Sequence, residues 1–275
     1  MAYTTIDDPS AHHQSVAYTG AGNGSSVTFG GNSDLQLDWL WVKRLDTTDN
    51  SKVFDTSRGI GSGNEPYLTT VSTEEEQTYA YLTSVDSDGF TWDTVDSSVG
   101  ASSNTYVAWA WKANGGTTTT NDASATGVGT IDSVIQANTT AGFSIVTYTG
   151  NGQDAATVGH GLGVAPQIVL VKRRNASDDW RMNVGPILAS GKDGHSLKWN
   201  SAGGENDANN LFNSTNPSST VFTLGSSPDA DVNAGGSTYV AYCFAAVEGF
   251  SSFGRYMGNG ATNGRVIFTG FKPAW

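Results

Sequence analysis

Carboxylates are the commonest titratable groups in this chain, with 26 Asp and Glu against 14 Lys and Arg. Asp86, Asp88, Asp93 and Asp96 flank Gly89-Phe90-Thr91-Trp92. Carboxylates gathered on a loop can bind calcium, which takes roughly six to eight oxygen ligands. No Glu closes the spacing as a calcium loop requires, and Asp88-Gly89 is itself an ordinary hairpin signal. These four are weak calcium candidates, Asp229 and Asp231 weaker ones, and no cofactor is expected. A zinc site needs converging ligands, whereas His12, His13, His160 and His195 are scattered. Cys243 stands alone in an apolar run and reads as a core residue. His160, between two glycines, reads as a turn residue. No Gly-x-Ser-x-Gly elbow supports a serine nucleophile. Glycoside hydrolysis needs two carboxylates at a set separation in space; Glu65, Glu205 and Glu248 are too few and too dispersed to nominate. Glu74-Glu75-Glu76 reads as a solvated turn or helix start. Gly20-Ala21-Gly22-Asn23-Gly24 lacks the Gly-Lys-Ser/Thr of a phosphate cradle and reads as a hairpin turn. No catalytic residue is expected.

Tryptophan offers a different chemistry. Trp92, Trp180 and Trp199 lie among polar residues. An exposed ring beside Asn and Asp can stack on the C–H face of a sugar while the amides and carboxylates bind its hydroxyls. These three are the glycan candidates, although burial as anchors of long loops is the favoured reading. Trp39, Trp41, Trp109 and Trp111 sit in apolar runs and read as core or sheet-face residues.

The elements that must hold these groups are strands. Gly, Ser, Thr, Asn and Asp dominate the composition, and such residues favour turns over helix interiors. The 275 residues suffice for about two domains. The 11% aromatic content argues against disorder. A net charge of -12 excludes the basic footprint of a nucleic-acid binder and disfavours an anionic membrane surface. One cysteine means no intrachain disulfide, and no apolar run reaches membrane-spanning length, so no membrane insertion is expected. The N-terminus lacks a basic region followed by an apolar one, which implies synthesis in a cytoplasm.

The chain repeats itself. Val16-Ala17-Tyr18-Thr19-Gly20 returns as Val146-Thr147-Tyr148-Thr149-Gly150, Trp41-Val42-Lys43-Arg44 as Leu170-Val171-Lys172-Arg173, and Thr105-Tyr106-Val107-Ala108-Trp109 as Thr238-Tyr239-Val240-Ala241-Tyr242. The offsets agree near 130 residues (148 − 18 = 130, 239 − 106 = 133). Two homologous domains follow, residues 1–114 and 127–250, with a polar linker over 115–126 that buries nothing. Residues 251–275 begin a third copy. There Arg255-Tyr256-Met257-Gly258 repeats the tyrosine motif weakly, and Phe271 to Trp275 corresponds to Gly163 to Gln167. Strands are expected over Leu35 to Val42, Tyr106 to Trp111, Ile131 to Val134, Phe143 to Tyr148, Ile168 to Val171 and Tyr239 to Phe244. Tyr106 to Trp111 carries bulk on both faces and reads as central. Helical periodicity is weak and confined to Ser72 to Leu82 and Ala208 to Phe212. The fold class is all-β: two tandem homologous sandwiches and the start of a third repeat.

Several segments together resemble a family of tail-fibre and other virion proteins of marine bacteriophages of the podovirus type. They are Met1 to Pro9, Val53-Phe54-Asp55-Thr56-Ser57-Arg58-Gly59, Ser87 to Phe90, Gly159 to Pro166 and Tyr256-Met257-Gly258-Asn259-Gly260. The resemblance implies concanavalin- or SPRY-like sandwiches in a non-enzymatic virion protein, with no catalytic residue to carry over. The expected role is a tail fibre or surface adhesin. A capsid-decorating or head-fibre protein and a glycan-binding lectin are the alternatives, and a depolymerase is a more remote one. Expected partners are other virion proteins, further copies of the chain in a trimer, and a host-surface glycan. The apolar tail residues Ile267, Phe268, Phe271 and Trp275 need a covering surface, on another copy or on the second domain.

Overall fold

The computed structural model describes residues 4–61, 63–93, 96–205, 210–226 and 231–273. The first half contributes β1 (His13–Thr19), β2 (Ser26–Val27), β3 (Trp39–Arg44), β4 (Lys52–Asp55), β5 (Glu65–Thr69), β6 (Gln77–Tyr79), β7 (Leu82–Asp86), β8 (Gly89–Trp92) and β9 (Thr105–Trp111). The second contributes β10 (Thr119–Asn121), β11 (Ser133–Asn138), β12 (Phe143–Thr149), β13 (Ala156–Gly159), β14 (Ile168–Arg173), β15 (Arg181–Asn183), β16 (Ser196–Lys198), β17 (Val221–Leu224) and β18 (Thr238–Phe244). One four-residue helix, α1 (Ala123–Thr126), lies between them, and no described helix is long enough to cross a membrane.

The repeat is a repeat of topology. One large sheet runs β1-β9-β3-β4-β5-β6; the other contains β12-β18-β14-β15-β16 in the corresponding order, with β11 and β10 added beside β12. Each half also has a small sheet: β2-β8, extended by β7, and β13-β17. Side-chain detail repeats too. Tyr18 pairs with Tyr106 across the ladder, as Tyr148 does with Tyr239, the rings stacked at 5.2 and 5.1 Å. The Tyr18 hydroxyl donates to Val99 O at 2.6 Å and that of Tyr148 to Val232 O at 2.8 Å. Arg44 bonds Asp49 at 2.9 Å, and Arg173 bonds Asp178 at the same distance.

Among the described residues the sheets stack in four layers around three cores. Strand side chains alternate between faces, so each central strand feeds two cores at once. Leu40, Val42, Ala108 and Ala110 pack outward against Phe90 and Trp92 of the first small sheet. Val146, Val169, Val171 and Ala241 pack outward against Val158, Phe222 and Leu224 of the second. Trp39, Val53 and Leu68 meet Ile145, Leu170, Val240 and Tyr242 in the middle, where the two large sheets face each other. This double burial is why β14 and β18 read as nearly continuous apolar runs. It also accounts for the central strand at 105–111, which is flanked by β1 and β3.

Several local expectations are corrected. The polar run read as a linker forms β10 and α1, with Asn121 and Ala123 buried. Its start is held by the buried Asp38 carboxylate, which accepts from the amides of Ala113, Gly115 and Gly116 at 2.6–2.8 Å. A polar sequence is no measure of freedom when a buried carboxylate binds its backbone. The strand expected from Leu35 begins only at Trp39; Leu35 and Leu37 are fully buried ahead of it. The weak helical pattern over Ser72 to Leu82 is β6 and the start of β7. Of Ala208 to Phe212, residues 208 and 209 lie outside the described residues and Leu211-Phe212 lie in a turn. Gly20 to Gly24 joins β1 to β2, which belong to different sheets, so it is a crossing and not a hairpin. The tail makes one isolated bridge, Val247 to Ser251, and no strand over 252–273.

Candidate functional site

The three glycan candidates do not form a sugar platform. Trp92 ends β8 fully buried, 5.0 Å from the Phe90 ring. Trp180 precedes β15, is also fully buried, and its indole N–H donates to Thr69 O of the other half at 2.9 Å. Trp199 is partly buried, edge-on to Trp180 at 5.2 Å and to Trp41 at 5.3 Å. Their polar neighbours in sequence point elsewhere: Arg181, beside Trp180, pairs with the buried Asp231.

The calcium candidates serve turns. Asp86 accepts from Ser84 and Thr91 hydroxyls at 2.7 and 2.9 Å. Asp88 accepts from Leu35 N at 3.0 Å, and Asp96 from Ser98 N at 2.8 Å. Asp93 is bound through its backbone, its N–H donating to Tyr81 O at 2.8 Å. Among the described residues no three His, Cys, Asp or Glu side chains converge as a metal site. Asp229 lies outside the described residues.

Cys243, His160 and Glu65 are likewise buried or hydrogen-bonded. Burial pushes the Cys243 thiol up to about 12, which suppresses the thiolate. Burial lowers the His160 pKa, and its ring nitrogens face Ser218 O and Leu162 N, both at 3.2 Å. Glu65 is fully buried and accepts from the amides of Gly63, Tyr81 and Leu82 at 2.6–3.1 Å. A shallow depression of about 390 Å³ is lined by Thr130, Ile131, Asp132, Thr149 and Asn151. Its one carboxylate, Asp132, accepts from Ala123 N at 2.8 Å.

Sequence reasoning missed a charged seam between the two halves. Arg58 is buried and bonds Asp55, Glu76 and the Tyr242 hydroxyl; Glu76 also receives Arg174 in a two-pronged pair at 2.8 and 2.9 Å. Burial works to raise the Glu76 carboxyl, but Arg174 and then Arg58 outweigh it and hold the pKa low. Glu76 is therefore a bridge and not a solvated turn residue. Lys172 reaches the same seam, donating to Thr73 O at 3.0 Å. Val53 to Gly59 carried the signal as a distinctive sequence, but its partners are distant in the chain.

Among the described residues, an exposed apolar tail and an open strand edge differ from the rest of the repeat pattern. The tail exposes Tyr256, Met257, Val266, Ile267 and Phe268, the last three at 79%, 55% and 93%. Strand β1 is the edge of its sheet, whereas its counterpart β12 is covered by β11. Exposed apolar runs and open strand edges are the usual places where chains associate.

Among protein families, the model described as "Domain of unknown function (DUF7483)" matches residues 8–275, so one family spans both repeats and the tail. No curated protein and no solved structure matches the chain.

Proposed function

We infer that this chain, which belongs to the DUF7483 family, is a non-catalytic structural component of a bacteriophage virion, a tail fibre or surface adhesin that contributes to host attachment. The observation that carries this reading is where the functional side chains go. Candidate sugar, metal and nucleophilic groups are spent on cores, turns and the seam, while the largest exposed apolar residues gather in the tail. That distribution supports a protein that acts through association. The repeated strand order supports the resemblance to repeat-built fibres. In this reading the chain works as a homo-oligomer, with threefold symmetry resting on the fibre resemblance alone, and it contacts other virion proteins. It is made in the host cytoplasm and released in the particle.

The test is negative-stain imaging of purified particles with an antibody against the chain. Label at a fixed position on the tail or surface is the expected result. Particles that lack the chain refute a virion role. Release of oligosaccharides from host polysaccharide, lost on substitution of one carboxylate, refutes the non-catalytic part.

A further inference from the structure

The two repeats differ at one edge. Lys112 N donates to His12 O at 2.9 Å and Gly20 N to Asn104 O at 2.8 Å, which sets the phase of the β1–β9 ladder. Hydrogen-bonded pairs alternate in an antiparallel ladder, so Ser15, Ala17 and Thr19 direct their N–H and C=O groups away from β9. Their counterparts Ile145 and Thr147 face Gln136 and Val134 of β11. Beside β1 no described strand takes that place. The packing registers the same gap. Val146 and Tyr148 are 0% and 5% exposed, yet Val16 and Tyr18 are only partly buried. In the second repeat Ile135 and Ala137 of β11 lean over the matching core.

The tail carries a segment suited to that gap. Arg265-Val266-Ile267-Phe268-Thr269 is a β-branched and aromatic run, exposed over its first four residues and in no strand of its own chain. Residues 249–275 hold three basic side chains (Arg255, Arg265, Lys272) and no acidic one. The rest of the chain therefore has 14 − 3 = 11 basic residues against 26 acidic, a net charge of −15. A basic strand approaching an acidic body is steered toward it. The root of the tail is near the edge, since the Phe250 ring is 6.1 Å from His12, one residue before β1.

We propose that Val266–Thr269 of one copy adds as an antiparallel strand to the free edge of β1 in a second copy, in the place that β11 takes beside β12. The added strand supplies partners for the outward amides and carbonyls of Ser15 and Ala17, and its apolar side chains cover Val16 and Tyr18. This is strand addition at a sheet edge, in which main-chain bonds give affinity and alternate side chains give fit. It rests on the oligomer proposed above but not on the virion location.

The experiment uses the full chain with Ala17→Cys and Ile267→Cys, singly and together, a short bis-maleimide linker, and light scattering for mass. Cys243 is fully buried and stays silent in the folded protein. The expected result is a covalent ladder of dimers and larger species from the double variant and from neither single one. Phe268→Asp, at a position 93% exposed within one copy, is expected to keep the fold and to weaken self-association about tenfold or more. A double variant that links only within one chain overturns the exchange between copies. An oligomer by mass that forms no link overturns the edge assignment while the oligomer stands. A monomer by mass refutes both.

Discussion

The Tyr242 hydroxyl, on the last strand of the second repeat, donates to the Asp55 carboxylate of the first at 2.6 Å. Arg58 bonds the same carboxylate and lies 3.3 Å from the same hydroxyl, and all three residues are buried. Removing one member of a buried charge pair leaves the other uncompensated, which costs about 3–5 kcal/mol. Arg58→Ala is expected to lose that much stability. Tyr242→Phe removes a hydrogen bond to a charged group and should lose about 1.5–3 kcal/mol. Urea unfolding of each variant measures both; a loss below about 0.5 kcal/mol for Arg58→Ala would show that the seam does not hold the halves together.

Trp180 is a structural tryptophan. Trp180→Phe keeps most of the ring volume but deletes the N–H bond to Thr69 O. The Thr69 carbonyl then has to find another donor in a dry site, at a cost of about 1–3 kcal/mol. Thermal unfolding should report it. A neutral substitution would mean that the bond to Thr69 O contributes nothing to stability.

Gly20 and Gly150 occupy corresponding places just after β1 and β12. A Cβ at Gly20 would meet Ala101 O at 2.2 Å, and one at Gly150 would meet Ala234 O at 2.5 Å. Both obstacles are backbone, so neither substitution relaxes cheaply. Gly20→Ala and Gly150→Ala should each destabilise by about 1–3 kcal/mol. Gly204→Ala, with nothing within 4 Å, is the neutral control. Unequal effects at the two repeat positions would argue that the turns are not equivalent.

Acid should weaken the fold partly through His13. Burial pushes its imidazole down to about 4, from the ordinary histidine value of 6.5. Its folded pKa is the lower one, so between those values the unfolded chain binds the proton more readily. Stability is therefore unaffected above pH 6.5, falls as pH drops through the window, and levels off below about 4. The full effect is up to about 3 kcal/mol. His13→Phe keeps a ring beside Trp111, 4.4 Å away, and should flatten the slope of urea stability between pH 7 and pH 4.5. An unchanged slope assigns the acid sensitivity elsewhere.

The all-β class, the central strands and the recurring tyrosine motifs are legible in consecutive residues. Thr105 to Trp111 and Thr238 to Phe244 are apolar on both faces because each face meets a different core, and that doubling is written in consecutive residues. The repeat is equally local: Tyr18 and Tyr148 recur because the same ring stack and the same carbonyl contact must be built twice. That the two large sheets face each other, that Trp92 and Trp180 are enclosed, and that β1 lacks the neighbour β12 has all depend on contacts between residues far apart in the chain. Residues 115–126 looked free because their side chains are polar, yet their backbone is bound by Asp38 and β11. Polarity along the chain describes neighbours in sequence, whereas burial and pairing depend on neighbours in space, and in a strand the residues on either side of a buried ring point the other way.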